Sequence, residues 1–377
     1  MTKFNCRISA VLLMQALLVA MCVLVLHWQQ EELAVGAFHG DEKAGPAIKH
    51  RILEGYPNRI QSRLEQRVRT LQALTAPADS GHTPHFILNL SKRWQPGQSI
   101  RVAFKSGDAA FHANIANTVT EWTKYANLKF DFGLDPTTGK YRSWNPSDTT
   151  YSAEIRVSFD QSGYYSLVGN DCVNPTIAKA GDETLNLERF DLQLPSDWKA
   201  VALHEFGHAI GFEHEHQMHL APCDFRFDDD AGYVPTTDQF GQYIPDPKGR
   251  RPGLYTLLGG PPNNWPKAVV DFNLKQLPES HAYEIGPFDK DSIMKYFFDD
   301  WMFASGAHSL CYTPSENLVV SDGDKKGAAK VYPMAPEQLK AAATLHSNAL
   351  QEILKIESLP TPVRNHLKSE LGKIQKD

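Results

Sequence analysis

The sequence has no cluster of basic residues. Its 377 residues include 38 Lys and Arg against 44 Asp and Glu, which gives a formal net charge of −6. Proteins that bind nucleic acid usually present a basic patch or stripe on one face. The absence of such a patch argues against a nucleic-acid partner. A repeat of the solenoid type is absent from the sequence too, and this argues against a stacked-repeat architecture.

Cysteine is scarce, with five residues in the whole chain. Cys6 and Cys22 lie in an apolar N-terminal run, which leaves Cys172, Cys223 and Cys311 for the rest of the chain. An odd number of cysteines leaves one thiol unpaired, so we expect a single disulfide. The pair Cys223 and Cys311 is favoured because these two residues flank a long segment rich in proline, glycine and aspartate. The sequence alone does not fix this connectivity.

Charged residues are missing between Ile8 and Leu26, where the chain is largely apolar. Lys3 and Arg7 precede this run, a pattern typical of targeting to the secretory pathway. The run approaches the roughly 20 residues that cross a bilayer, and bulky polar residues follow it, so a retained signal anchor is favoured over a cleaved signal peptide. The positive-inside rule then places the rest of the chain on the lumenal or extracellular side. We expect an extracellular protein, either secreted or anchored in the membrane through residues 8–26.

The most informative motif lies between His204 and His214. His204 and His208 are four residues apart, so on a helix they share one face and can direct two imidazoles at one metal ion. Glu205 follows His204 directly and can hold a water beside the metal instead of binding the metal itself. Gly211 allows the left-handed conformation that ends a helix, so that His214 can return as a third ligand. Three protein ligands leave one position open, which is typical of a catalytic zinc site.

The alternative to a zinc site is a histidine-rich helix end that binds no metal. Chance occurrence of the five fixed residues in a chain of this length is on the order of 10⁻⁴, which disfavours that alternative. His216 and His219 lie close by, but their offsets do not match the turn. We expect them to be surface residues or to lie behind the ligands. The predicted cofactor is therefore one catalytic Zn²⁺.

Two segments of the chain resemble a known protein family. The extended motif HExxHxxGxxH defines the metzincin metalloproteases, and residues 208–216 (HAIGFEHEH) resemble the corresponding run of the astacin family in particular. Residues 292–296 (SIMKY) resemble the astacin Met-turn. The resemblance implies that Met294 forms a structural base beneath the zinc site. It also implies that Tyr296 is a further zinc ligand, or a donor to the oxyanion when it swings away.

Weaker similarities extend this resemblance towards the N-terminus. Residues 163–169 are similar to the family's edge-strand segment, which ends in SxVG, and residues 183–187 resemble the strand that precedes the zinc helix. The resemblance thus covers residues 85–334. The cysteine usual in the edge segment is absent, and the interval from His214 to Met294 is longer than the family typically has. These departures concern the disulfide pattern and the lower half of the cleft rather than the metal chemistry.

The resemblance implies an α+β fold. The expected catalytic domain is zincin-like or metzincin-like, with a twisted mixed sheet, a zinc-binding active-site helix and a Met-turn in the lower subdomain. Ser196 or Asp197 is expected to cap the zinc helix. The periodicity of apolar residues predicts a helix over 111–126, strands at 100–104, 128–132 and 154–159, and further strands around Tyr165 and Leu185.

The chain divides into four predicted segments. Residues 1–26 form a signal anchor or signal peptide, and residues 27–80 a stalk or propeptide. Residues 81–334 form an astacin-like zinc metallopeptidase domain, and residues 335–377 a helical C-terminal appendage. In this appendage one helical face carries Leu345, Ala349 and Ile353.

The segment before the catalytic domain has helical periodicity. Residues 38–41 (FHGD) resemble the start of the FxGD motif by which astacin prosegments place an aspartate on the zinc, which would make Asp41 a latency switch. The alternative is an exposed turn, because Glu42 departs from the hydrophobic residue that usually follows. Further along, apolar residues at helical spacing predict an amphipathic helix that suits a stalk or a propeptide: Ile60, Leu64, Val68, Leu71 and Leu74.

An acidic run, Asp228 to Asp230, lies in the long segment after His214. Clustered carboxylates can bind calcium, since this ion prefers oxygen ligands. The spacing of the run lacks the pattern of an EF-hand, however. A solvated loop is therefore favoured over a calcium site.

The residues predict a zinc-dependent endopeptidase that acts on proteins or peptides. Glu205 is the expected general base, and Tyr296 is expected to stabilise the oxyanion. An extended peptide is expected to lie against the edge strand at residues 166–168. The alternative is a catalytically weak zinc-binding recognition or adhesion module. Glu205 disfavours it, because a binding module needs no proton acceptor beside the metal. The oligomeric state is open.

Overall fold

The computed structural model describes residues 55–74, 92–218, 221–276 and 287–374. The described residues belong to one compact unit that extends from Arg51 to Asp377. Several sequence predictions lie outside them: the N-terminal apolar run, the proposed switch at Asp41, and His219. A search of the described residues for a helix of membrane-spanning length and apolarity finds none.

A five-stranded sheet forms the upper part of the molecule. Its strands are β1 (Ser99–Phe104), β2 (Lys129–Asp131), β3 (Ile155–Ser158), β4 (Tyr164–Ser166) and β5 (Leu185–Leu187), in the spatial order β2-β1-β3-β5-β4. All neighbouring strands are parallel except β4, which runs antiparallel to β5 at the edge. Every residue of β3 and β5 is buried, as expected for strands covered on both faces. The predicted α+β fold with a mixed sheet is confirmed.

Helix α2 (Ala109–Val119) packs beneath this sheet and continues as a 3₁₀ turn over Thr120–Lys124. The carboxylate of Asp108 caps the helix by accepting from the Phe111 amide at 2.8 Å. The apolar face predicted from the sequence is buried, with Ile115, Val119 and Trp122 each at most 1% exposed. The periodicity of the apolar residues therefore predicted this helix and its buried face correctly. It did not show that the last turn is a 3₁₀ turn.

Helix α3 (Trp198–Ala209) carries the histidine motif through the centre of the core. Asp197 is its N-cap residue, as predicted, but the Asp197 side chain makes no capping hydrogen bond. Two tryptophans contact the backbone of the helix. The indole of Trp122 donates to the carbonyl of Leu203, and that of Trp94 donates to the carbonyl of Ala209, both at 2.8 Å. These contacts hold α3 along its length.

The segment that follows α3 builds a second, smaller core. It contains the 3₁₀ turn Glu215–Gln217, the two-stranded ribbon β6 (Thr236–Thr237) and β7 (Tyr243–Ile244), and the helices α4 (Leu254–Gly259) and α5 (Lys267–Leu274). Two further 3₁₀ turns follow at Asp300–Met302 and Gly306–His308. The buried residues of this core are Leu254, Leu258, Val270, Leu274, Tyr296, Phe298, Met302, Phe303 and Cys311.

Cys223 and Cys311 form the disulfide that the sequence favoured, and Cys172 is a buried free thiol. The acidic run in the same segment also has structural partners. Asp229 accepts from the Gly253 amide at 2.6 Å and from the Thr256 hydroxyl at 3.0 Å, so it stabilises the start of α4. Asp230 pairs with Arg226 and Arg251. Asp228 and Asp229 are exposed, as expected for a solvated loop, and the contacts of Asp229 and Asp230 also organise the segment.

Three helices complete the C-terminal part: α6 (Asp322–Val331), α7 (Pro336–Leu354) and α8 (Thr361–Ile374). Helices α7 and α8 pack against each other around Leu350, Ile353 and Leu367. Of the three residues on the predicted helical face, Ala349 and Ile353 are buried, whereas Leu345 is 48% exposed and its neighbour His346 is 5% exposed. The buried face of α7 is thus rotated by one residue towards Gln95, whose side chain lies 2.8 Å from His346 Nδ1.

Helix α1 (Asn58–Leu74) lies in the segment predicted to be a stalk or propeptide. Ile60 and Leu64 are buried in the main core. Three arginines on the helix form ion pairs with carboxylates close to β4 and β5 in sequence: Arg59 with Glu183, Arg63 with Asp182, and Arg67 with Asp171. The helix is therefore packed onto the part of the molecule that contains the sheet.

Candidate metal centre

The three histidines of the motif meet at one point. The Nε2 atom of His208 lies 3.1 Å from that of His204 and 3.0 Å from that of His214. Among the described residues these three form a group whose ligand atoms all lie within 4.8 Å of one another. The structure thus brings together the three ligands predicted from the sequence.

The other ring nitrogen of each histidine faces an oxygen atom. His204 Nδ1 lies 2.6 Å from the Ile293 carbonyl, and His208 Nδ1 lies 2.7 Å from the Phe212 carbonyl. His214 Nδ1 lies 3.1 Å from Gln217 Oε1. An imidazole that donates from Nδ1 to such an acceptor carries its lone pair on Nε2, which is the usual state of a metal-binding histidine.

The end of α3 brings the third histidine back to the first two. Gly211 has a φ of +106°, a region that L-residues with a side chain rarely adopt. Its amide donates to the His208 carbonyl at 2.7 Å, and the Phe212 amide donates to the Gly207 carbonyl at 3.0 Å. These two bonds are those of a Schellman motif, which ends the helix and reverses the chain. Gly211 thus has the positive φ that the sequence analysis predicted for the end of this helix.

The donor set fits zinc. Zinc binds imidazole nitrogen at about 2.0–2.1 Å with tetrahedral geometry, so ligand atoms on one ion are separated by about 3.3 Å. The Nε2 separations of 3.0 and 3.1 Å are close to this value. Three lone pairs directed at one another repel unless a cation lies between them. The geometry therefore suits a tetrahedral cation with three nitrogen ligands and one open position.

Glu205 lies on α3 between the first two histidines in sequence and is 1% exposed. It lies on a fully buried stretch of α3, since every residue from Leu203 to Ala209 is buried. Its neighbour Gly207 leaves room for another part of the site. A β-carbon at Gly207 would overlap the sulfur of Met294, so Met294 packs directly against the helix backbone. This contact places Met294 beneath the histidines, as the family resemblance implies.

The segment around Met294 is also tied to its surroundings through its backbone. The Met294 carbonyl accepts from the Glu215 amide at 3.0 Å. On the other side, the carboxylate of Asp324 accepts from the Ile293 amide at 2.8 Å and from the Ser292 hydroxyl at 2.6 Å. Asp324 also forms a capping box with Ser321 at the start of α6, but this local motif does not reveal the contact with the remote segment around Met294. Sequence reasoning therefore missed it.

Tyr296 lies beside the histidines. Its ring centre is 4.2 Å from that of His214 and 5.7 Å from that of His204, and the residue is 8% exposed. His216 packs on the same ring, with the two centres 4.8 Å apart. The structure thus brings Tyr296 to the predicted site, in contact with one predicted ligand.

His216 is completely buried, so of the two expected positions it takes the one behind the ligands rather than one on the surface. Its Nε2 atom lies 3.0 Å from the carbonyl of Asn273 in α5. Burial lowers the pKa of His216 well below its ordinary value, and the neighbouring His214 contributes in the same direction. His216 lies outside the group of three converging histidines. His216 instead connects the histidine motif to the smaller core.

The edge strand β4 packs against α3 and already has an intramolecular partner. The hydroxyl of Tyr56 donates to the carbonyl of Ser166 at 2.9 Å. The Tyr56 ring centre lies 6.0 Å from that of Tyr165 in β4 and 6.5 Å from that of Phe272 in α5. Tyr56, just before α1, therefore contacts both the edge strand and α5.

Close packing explains why position 169, the last of the SxVG segment, is a glycine. Gly169 has a φ of +54°, and a β-carbon at this position would overlap the carbonyl of Lys92. The same β-carbon would lie 3.4 Å from the α-carbon of Gly211. The edge segment thus packs closely against the turn that ends α3.

Comparisons with known proteins give matches among solved structures only. No known family model and no curated protein matches the sequence. One structure of myroilysin aligns with 26% identity and a TM-score of 0.48, covering 65% of this chain and 97% of that chain. A second aligns with 27% identity and a TM-score of 0.40, covering 64% and 86%.

High choriolytic enzyme 1, a hatching-enzyme zinc protease from the medaka fish Oryzias latipes, aligns with 16% identity and a TM-score of 0.31. That alignment covers 68% of this chain and 92% of the enzyme. The mixed sheet of this chain, its central helix motif and the Met294 segment beneath the helix follow the pattern that the sequence predicted. The chain therefore resembles the astacin family of metzincins in its motifs, in its fold and in the arrangement of its candidate metal centre.

Proposed function

We propose that the protein is a zinc-dependent endopeptidase that hydrolyses internal peptide bonds of proteins or peptides. The observation that carries this proposal is the convergence of three histidine Nε2 atoms in a site that also contains a buried glutamate. His204, His208 and His214 would hold one catalytic zinc ion. Bound there, zinc supplies a Lewis acid that polarises the scissile carbonyl and lowers the pKa of water to about 7.

Glu205 is the general base of the proposed reaction. Its carboxylate accepts a proton from the attacking water and returns that proton to the leaving amine. The buried position of Glu205 keeps the carboxylate away from bulk water and fixes its direction through α3. Tyr296 donates its hydroxyl hydrogen to the oxyanion that forms at the scissile carbonyl.

The substrate lies in an extended conformation along β4. This strand is the last in the order of the described sheet, and an extended peptide can add to a strand at the edge of a sheet through main-chain hydrogen bonds. The contact of Tyr56 with the Ser166 carbonyl supports this role, because it shows that a group outside the sheet can reach the carbonyl. Binding through the main chain fixes the register of the peptide without demanding a sequence, which suits an endopeptidase.

The segment before the catalytic domain acts as a propeptide rather than a stalk. A stalk would be solvated, whereas α1 buries Ile60 and Leu64 and forms three ion pairs with the catalytic part. Tyr56 contacts the strand along which the substrate is proposed to bind. The segment is therefore placed to compete with the substrate.

The protein acts on the secretory or extracellular side. Disulfides persist in oxidising compartments and are rare in the cytosol. The pair Cys223–Cys311 supports this location, together with the apolar run at residues 8–26 and the basic residues that precede it.

The test compares the wild-type protein with Glu205→Ala on a library of peptides, both as the full chain and as residues 81–377. We expect internal cleavages that fall about 10²–10⁴-fold in the variant, as for loss of a general base, and that disappear with a zinc chelator. The exposed Glu337→Ala serves as the control and is expected to cleave like the wild type. Equal cleavage by wild type and Glu205→Ala would rule out the proposed activity and favour a recognition module.

A further inference from the structure

Gln217 lies directly behind the third histidine. It ends the 3₁₀ turn Glu215–Gln217 and is 5% exposed. Its side-chain nitrogen lies 2.8 Å from the carbonyl of Phe272 and 3.2 Å from that of Lys275. Its side-chain oxygen lies 3.1 Å from Nδ1 of His214. Gln217 therefore bridges the histidine motif and the end of α5.

The two carbonyls fix which way the amide of Gln217 points. A carbonyl can only accept, so the side-chain NH₂ group must face Phe272 and Lys275 and donates to both. The side-chain oxygen then faces His214 and can only accept. His214 must therefore carry its proton on Nδ1, which leaves the lone pair on Nε2 where the three histidines converge. For the neutral imidazole of a metal-binding histidine, this hydrogen-bond pattern determines the tautomer.

The rings of the three histidines are oriented by different kinds of hydrogen-bond acceptor. The Nδ1 atoms of His204 and His208 face main-chain carbonyls, those of Ile293 and Phe212. The Nδ1 atom of His214 faces a side chain. His214 also lies beyond the end of α3, on extended backbone with a φ of −68° and a ψ of 132°. Its ring therefore depends on a side-chain contact more than the rings of the two helical histidines do.

The partners of Gln217 lie where α5 ends. The last carbonyls of a helix have no partner within it, so they need donors from elsewhere. Gln217 supplies two such donors, and His216 lies against the intervening Asn273 carbonyl. The long segment after His214 is thereby attached to the metal centre through α5.

We propose that Gln217 is a positioning residue that fixes the tautomer and the ring direction of His214 and couples them to α5. The proposal deepens the proposed function, because it rests on His214 as a zinc ligand. It also assigns a role to the long segment after the motif: the end of α5 holds Gln217, and Gln217 holds the third ligand. Residues that orient a metal-binding histidine in this way typically change metal affinity by about 10–100-fold.

The test measures zinc affinity by competition with a chelator for three variants of the full chain. Gln217→Leu removes both halves of the bridge. Gln217→Glu keeps an acceptor for His214 but cannot donate to the two carbonyls. Gln276→Leu is the matched control, because Gln276 also donates from its side chain to a backbone carbonyl, that of Ala221 at 2.6 Å, but does not belong to the histidine group.

We expect Gln217→Leu to bind zinc about 10–100-fold more weakly than the wild type, and Gln276→Leu to bind zinc like the wild type. Gln217→Glu should retain an affinity closer to that of the wild type, while amide hydrogen exchange at the end of α5 becomes faster. Wild-type affinity in Gln217→Leu would overturn the proposal. An equal loss of affinity in Gln217→Leu and Gln217→Glu would overturn it as well, because the acceptor would then not matter.

A measurement on the wild type covers the case in which these variants do not fold. Nitrogen-15 NMR of the zinc-loaded protein with labelled histidine should show His214 protonated on Nδ1, with slow exchange of that proton. Protonation on Nε2 would overturn the proposal. Zinc binding without any peptide cleavage would refute the proposed function and leave the role of Gln217 intact. If the wild type cleaves peptides and Gln217→Leu binds zinc as tightly as the wild type, the role of Gln217 is refuted and the proposed function stands.

Discussion

Gly211 shows how one residue determines whether a helix can supply a complete metal site. His204 and His208 are placed by helical geometry alone, whereas His214 reaches the same point only because the chain reverses at Gly211. The reversal needs a positive φ, which costs a residue with a β-carbon on the order of 1–3 kcal/mol. Neighbouring groups add to this restriction, since a β-carbon at Gly211 would lie 3.2 Å from the hydroxyl of Tyr332.

Gly211→Ala is therefore expected to lower the free energy of unfolding by about 1–3 kcal/mol and to weaken zinc binding. Gly249→Ala is the matched control, because Gly249 also has a positive φ, of +75°, but a β-carbon there would meet nothing within 4 Å. Chemical denaturation and chelator competition measure the two effects. The control should lose stability but keep its zinc affinity. Equal zinc affinities in the two variants would contradict the role given to the turn.

Tyr296 offers a second prediction at this scale. Tyr296→Phe keeps the ring that packs on His214 at 4.2 Å and removes only the hydroxyl. Loss of one oxyanion donor typically lowers kcat by about 10²–10³-fold, so we expect this loss with KM and zinc affinity unchanged. Tyr312→Phe in the same lower core is the control. A loss of zinc affinity with an unchanged kcat would instead assign the hydroxyl to the metal.

At the scale of elements, the sequence predicted those features that neighbouring residues determine. It did not predict contacts between residues that are far apart in the chain. The end of α3 is encoded in adjacent residues, so His204, Gly211 and His214 could be placed from the sequence. The groups that hold this helix are remote. Trp94 lies 115 residues from the carbonyl it contacts, and no periodicity connects the two. The same limit applies to Asp324 beneath Met294 and to Gln217, whose carbonyl partners lie far along the chain.

The face of α7 illustrates a different limit. Apolar spacing groups Leu345 with Ala349 and Ile353, but the structure buries His346 and leaves Leu345 48% exposed. A histidine is polar by type, so a pattern of hydrophobic residues does not identify it. What makes its burial acceptable is the side-chain amide of Gln95, which donates to Nδ1 at 2.8 Å. This partner is visible only in the folded chain.

His346 gives a prediction for pH. Burial lowers its pKa to about 4, and the charge of Arg93 acts in the same direction. In the unfolded chain the imidazole titrates near about 6.5. Between these values the unfolded state binds a proton that the folded state does not, so His346 costs stability as the pH falls from about 6.5 to about 4. The loss approaches about 1.4 kcal/mol per pH unit.

Urea denaturation at pH 7 and pH 5 measures this loss. His346→Gln should lose less stability than the wild type between the two pH values, because it has no imidazole to protonate in the unfolded state. His308→Gln, at an exposed position, should behave like the wild type. An unchanged pH dependence in His346→Gln would show that the buried imidazole does not titrate as we expect.

The segment before α1 gives a prediction about activity. Tyr56→Phe removes the hydrogen bond to the Ser166 carbonyl and is expected to raise the initial rate of peptide hydrolysis by the full chain about 2–10-fold, since one such bond contributes about 0.5–1.5 kcal/mol. Tyr151→Phe is the control, because its hydroxyl donates to the Ala178 carbonyl at 2.8 Å. Unchanged hydrolysis in Tyr56→Phe would argue against competition between this segment and the substrate.

At the scale of the whole molecule, the candidate metal centre lies where two hydrophobic cores meet. Ile293 and Met294 belong to the core that contains the sheet and α3, whereas Tyr296 and Phe298 belong to the smaller core. The SIMKY segment therefore passes from one core to the other beside the histidines. The position of Tyr296 relative to the histidines then depends on how firmly the smaller core is held.

The disulfide Cys223–Cys311 is the covalent bond that holds the smaller core together. Cys223 and Cys311 are 88 residues apart in sequence, and the segment they enclose contains α4, α5 and Tyr296. Closing a long loop restricts the unfolded chain, and loss of such a bond typically costs about 2–5 kcal/mol. We expect the double variant Cys223→Ala with Cys311→Ala to lose this amount of stability in urea. Cys172→Ala removes a buried thiol but keeps the disulfide, so it should lose less. A reductant should lower the wild type to the level of the double variant and leave the double variant unchanged. If the double variant were as stable as Cys172→Ala, the smaller core would hold Tyr296 in place by packing alone.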